Sequence, residues 1–154
     1  MLRRDPARPS VLARLRRDPA GRHLAQAVVT AAVVEVALRL VALPRLAAAV
    51  GAPIHLGSAE GGHTDPASVL GAADAARLRA TQIVMRRWPW GDRGPCLRQA
   101  LVAGRMLRHR RPRLALGAGR DARGTLGHAW LLVDGVALDA DAPRWTPLLR
   151  PGAA

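Results

Sequence analysis

An α+β fold follows from two patterns in the chain. The first two thirds carry apolar residues at helical spacing, and the last third carries apolar runs that meet at Asp134-Gly135, a residue pair suited to a tight hairpin turn. The expected arrangement is a set of N-terminal helices and one further helix packed on a small antiparallel sheet.

Residues 1–22 are rich in Arg and Pro, and Arg3-Arg4-Asp5-Pro6-Ala7 is echoed at Arg16-Arg17-Asp18-Pro19-Ala20. Two short copies reflect biased composition rather than a repeat architecture, so this segment is read as an arm. Residues 23–154 then form one domain, with a helical part over 23–87 and a core over 88–141. Leu24 to Val41 has a helical pattern, with Glu35 and Arg39 at i, i+4 on what should be its wetter side. Pro44 ends or kinks that helix, and Arg45–Val50 continues to Gly51. Gly51 to Ala67 reads as a loop, and Ala72 to Arg87 as a second helix. Trp88-Pro89-Trp90-Gly91 forms a turn, and Asp92 is a candidate cap for a third helix that begins near Pro95. In that helix Leu97, Ala100, Leu101, Gly104 and Leu107 make a buried stripe, with Cys96, Ala100, Ala103 and Leu107 on or beside the same face. Arg108 to Arg113 ends it. Leu114–Gly117 reads as a strand, Gly119–Thr125 as a polar turn, and the hairpin follows. The tail from Pro143 to Pro151 holds Trp145 and is expected to be surface packing.

At 154 residues the chain is long enough for a real core, and 49% of it is apolar. Phe, Tyr, Lys and Asn are absent, which points to codon bias in a GC-rich genome. The net charge of +13 therefore carries less meaning than usual, because all 24 basic residues are Arg. No nucleic-acid partner is expected, and an acidic peptide or protein fits the charge better. A single cysteine excludes an internal disulfide and a zinc–thiolate cluster. His55, His63, Glu60 and Asp65 match no compact ligand spacing, so neither a metal nor a cofactor is expected. The apolar stretch Leu24 to Val34 is broken by Glu35 and Arg39 well short of the roughly 20 residues a membrane span needs. A cytoplasmic, non-transmembrane protein is the expectation.

The chemistry concentrates in three residues. Cys96 lies in the first turn of the third helix, where the positive end of the helix dipole favours a thiolate. His128 opens a hairpin strand, and acidic residues close its partner. A thiol nucleophile needs an imidazole to take its proton, and a carboxylate to orient that imidazole. If Asp134-Gly135 closes a tight hairpin, Val133 pairs with Val136, Leu131 with Leu138, Trp130 with Asp139 and His128 with Asp141. His128, Trp130 and Leu132 then share a face with Ala137, Asp139 and Asp141. Opposite Cβ atoms lie about 5 Å apart and diagonal ones about 7–8 Å or less, so both Asp139 and Asp141 reach His128.

Three segments, Cys96-Leu97-Arg98-Gln99-Ala100-Leu101, Leu116-Gly117-Ala118-Gly119-Arg120-Asp121 and Gly127-His128-Ala129-Trp130-Leu131-Leu132-Val133-Asp134-Gly135, resemble the transglutaminase-like cysteine proteases. The likeness is greatest to the maturation proteases of lasso-peptide biosynthesis. It implies a transglutaminase-like or papain-like core, with Cys96 as nucleophile, His128 as general base and then acid, and Asp139 as orienting carboxylate. Asp spacing varies in such proteins, so Asp141 stays open. The firmer backbone after Val136-Ala137-Leu138 favours Asp139, since Ala142-Pro143 bends the chain at Asp141. Such a protein would be a leader peptidase acting on a ribosomally made precursor peptide. No leader-recognition module is read ahead of the helices, which implies a separate recognition protein, with the lasso cyclase as a further candidate partner. Trp90 and Trp130 are candidates to line the peptide groove. The rival readings are an acyl transferase or amidase with the same triad, and a non-catalytic scaffold subunit.

Overall fold

The computed structural model describes residues 19–57, 69–89, 94–121 and 124–148. Four helices pack against a small mixed sheet. Helix α1 (Gly21–Leu40) stops two residues short of α2 (Leu43–Val50), because Pro44 suits the first turn of a new helix and not the middle of an old one. Helix α3 (Ala72–Met85) and α4 (Pro95–Met106) complete the helical layer. Residues 1–18 of the arm, much of the loop up to Ala67, and Trp90, Gly91 and Asp92 lie outside the described residues, and the arm's last two residues, Gly21 and Arg22, open α1.

The sheet is built on a long hairpin, β2 (Arg113–Asp121) with β3 (Gly124–Val133), followed by the short β4 (Val136–Ala137). Gly119 to Asp121 and Gly124 to Thr125, read from the sequence as a polar turn, are strand. Two pairs missed in the sequence complete it. β1 (Ile54–His55) lies parallel to β2 at Leu114 and Ala115, and β5 (Thr146–Pro147) lies antiparallel at Gly117 and Ala118. The sheet is therefore mixed rather than purely antiparallel. Both additions sit on the outer edge of β2, where a proline such as Pro147 is tolerated.

The Asp134-Gly135 turn has positive φ at both residues, as a type I′ turn requires. Val133 pairs with Val136 and Leu132 with Ala137, the register expected. One more bond, from the Leu138 N–H to the Leu131 carbonyl at 2.8 Å, ends the pairing. Beyond it the chain leaves β3, so Trp130–Asp139 and His128–Asp141 are not ladder pairs.

The two faces of β3 meet different surroundings. Ala129 and Leu131 join Leu101, Val102, Ala103 and Leu114 in the main core, together with Ala27, Ala31 and Val34 of α1. Trp130 and Leu132 form a second cluster with Ala115, Ala142 and Trp145. Truncating a fully buried leucine such as Leu101 would cost about 3 kcal/mol.

Helix α1 reverses one expectation. Glu35 is buried, on the face packed toward the other helices, and not on a wet face. Arg98 Nε of α4 donates to Glu35 Oε2 at 2.7 Å, and Arg39 Nη2 donates to Oε1 at 3.3 Å. By length and composition alone α1 could cross a membrane. Here its inner face is packed and carries this ion pair.

Candidate active site

Helix α4 begins at Pro95, whose fixed φ suits the first helical turn and whose missing N–H costs nothing there. The next residue is Cys96, a half-buried free thiol on the core's edge. One and two turns further, Ala100 and Ala103 keep the helix surface small above the sheet. They leave a cleft of about 500 Å³ between α3, α4 and the edge of β3 that β4 does not cover. Cys96, Gln99 and Ala100 line one wall and Leu78 and Gln82 of α3 another. His128, Trp130, Leu138 and Asp139 line the sheet side.

The structure brings one of the two candidate carboxylates to the histidine. His128 Nε2 lies 2.6 Å from Asp139 Oδ2. The other carboxylate oxygen of Asp139 accepts the Asp141 N–H at 2.9 Å, so both oxygens are held. The side chain of Asp141 turns away to an exposed pair with Arg144 at 3.1 Å. Asp139 thus fixes the ring by its Nε2–H, which leaves Nδ1 as the basic nitrogen for a thiol in the same cleft.

Aromatic packing holds the ring on its other sides. Trp145 stacks on His128 with centroids 4.6 Å apart and planes 20° from parallel, and Trp130 stands 5.8 Å away at 24°. Two glycines of β2 make this possible. A Cβ on Gly117 would stand 2.8 Å from the Trp130 ring, and one on Gly119 would stand 2.9 Å from Trp145. Trp145 is therefore half-buried against the histidine, and not the surface packing expected of the tail. The alternate glycines opposite an aromatic strand were the available signal, since they leave pits on one face. Trp130 lines the cleft, and among the described residues its buried indole N–H has no acceptor. His55 lies in β1, whereas Glu60, His63, Asp65 and Trp90 lie outside the described residues.

Two residues after the thiol, Arg98 is committed to Glu35. Hydrogen bonding and charge from Arg98, aided by Arg39, outweigh burial and hold the Glu35 carboxyl below the usual carboxylate range.

A model of the transglutaminase-like superfamily matches residues 35–150. No curated protein and no solved structure gives a significant match. The chain belongs to the transglutaminase-like superfamily, with a fold of the cysteine protease and acyltransferase type.

Proposed function

We propose that this transglutaminase-like protein is a cysteine peptidase that removes the leader from a ribosomally made lasso-peptide precursor in the cytoplasm. The observation that carries the chemistry is the 2.6 Å contact of His128 with Asp139 in a cleft that also holds the Cys96 thiol. The substrate assignment rests on the sequence resemblance of the segments around Cys96, Gly117 and His128.

In this reading His128 Nδ1 takes the Cys96 proton, and Sγ attacks the carbonyl carbon of the leader's last residue. Backbone N–H groups in the first turn of α4 face the developing oxyanion. As the intermediate collapses, the C–N bond breaks and the imidazolium gives its proton to the departing amine, the new N-terminus of the core peptide. Water, deprotonated by His128, then attacks the thioester carbon, and the leader leaves with a free carboxylate while the thiol is restored. A separate leader-binding protein presents the substrate, and the cyclase takes the released core peptide.

The test is mass-spectrometric cleavage of a candidate lasso precursor by the purified chain, with and without a leader-binding protein. Cleavage at one junction, faster with the partner and absent in Cys96→Ala, is expected. Turnover that persists in Cys96→Ala would refute the thiol mechanism, and equal rates without the partner would show that this chain reads the leader itself.

A further inference from the structure

We propose that the outer face of α1 is a docking surface for an amphipathic helix of a separate protein, one whose apolar seam is flanked by acidic residues. Val29, Val33, Val36 and Leu40 are 63%, 61%, 58% and 77% exposed. Their separations of four, three and four residues are those of a coiled-coil seam, in which each side chain inserts between four residues of a facing helix. The stripe runs along about 17 Å of helix. The opposite face, Ala27, Ala31, Val34 and Glu35, is already buried in the fold, so the outer stripe has no partner among the described residues.

Charge selects the occupant. Arg22, seven residues before Val29, and Arg39, next to Leu40, are exposed beside this stripe, and the sole acidic residue of α1 and α2, Glu35, is buried. A facing helix with acidic flanks would meet complementary charge, whereas a second copy of this chain would set arginine against arginine. Helices that lie in a bilayer surface present Trp, Phe and Leu, but three of the four seam residues here are valines, whose short branched side chains suit packing against another helix. The surface is independent of whether Cys96 is catalytic. Even so, the inner face of α1 grips Arg98 two residues from the thiol, so an occupant would rest on the helix that steadies the start of α4.

The probe is a labelled three-heptad peptide with Leu at the seam positions and Glu at the flanks, titrated with the full chain by fluorescence anisotropy. A twin peptide carries Lys at the flanks. Saturable binding of the acidic peptide is expected, at least tenfold tighter than that of its twin. It should weaken at least tenfold in Val33→Ser/Val36→Ser, a variant that changes no charge and whose circular dichroism should match the parent. No saturable binding, equal binding of the two peptides, or binding indifferent to the substitutions would overturn the proposal. So would cosedimentation with phosphatidylglycerol vesicles, or self-association, that the double variant abolishes while the acidic peptide fails to bind.

Discussion

Glu35 and Asp139 are both carboxylates held by a nitrogen base, and their surroundings set them to different tasks. The Glu35 side chain is 6% exposed between two guanidinium groups, and it joins α1 to α4. The side chain of Asp139 is 33% exposed, and it holds one imidazole at the mouth of a cleft. A guanidinium does not give up its proton, so it cannot exchange one with Glu35 and the pair can only brace. An imidazole can both accept and donate a proton, so a carboxylate beside it can support chemistry. The nature of the partner and access to the cleft distinguish the two acids.

The sharpest break in this comparison is Asp139→Asn. It keeps the shape but removes the charge that orients and stabilises the imidazolium, so single-turnover cleavage should fall by roughly 10³–10⁴ with little loss of peptide binding. Asp141→Asn should stay within a few-fold of the parent, because only the backbone N–H of Asp141 reaches Asp139. A crippled Asp141→Asn with a healthy Asp139→Asn would reverse the assignment.

Glu35→Gln should show the opposite pattern. Removing one partner of a buried pair leaves Arg98 poorly compensated, at a cost of about 3 kcal/mol in urea unfolding at neutral pH. Activity per folded molecule should persist. The sign of the pH dependence follows from the lowered carboxyl. Because its folded value lies below its unfolded value of about 4.3, the stabilisation is complete above that value and is lost as the pH falls through the lower folded one. The parent should therefore lose stability across that acid window more steeply than the variant does. Identical slopes would show that the pair contributes nothing there.

The two acids also show what the sequence made legible. Asp134-Gly135 fixed the hairpin and its first two pairs, so Asp139 was within reach of His128 before any coordinates. Extrapolating the ladder past Ala137 favoured Asp141 as the directly opposite residue, but the pairing ends at Leu138 and the chain departs. Glu35 was misread for a different reason. Its nearest basic residue along the helix is Arg39, and its shortest bond is to Arg98, 63 residues away. A helix that is apolar nearly all round gives no periodic cue to which face is inward. β1 and β5 are two-residue strands, too short for any alternation to show.

A smaller loss of rate than that of Asp139→Asn tests whether Asp139 acts alone. Trp145 covers one face of the His128 ring, and it is carried there by β5 pairing back onto β2, with the Leu148 N–H bonded to the Leu116 carbonyl at 2.8 Å. Trp145→Ala would leave the Asp139 bond but open the space beside the ring, so the imidazole could swing about that single tether. Misplacing a catalytic group costs rate rather than binding, and about tenfold in kcat with KM nearly unchanged is expected. Trp145→Phe keeps a flat ring and should recover most of it. A merely structural tryptophan would lower the melting temperature and leave kcat per folded molecule untouched, so the two measurements taken together separate the roles. If Trp145→Ala instead matches Asp139→Asn in severity, the stacked ring and the carboxylate orient the histidine as one unit, and removing either would release it.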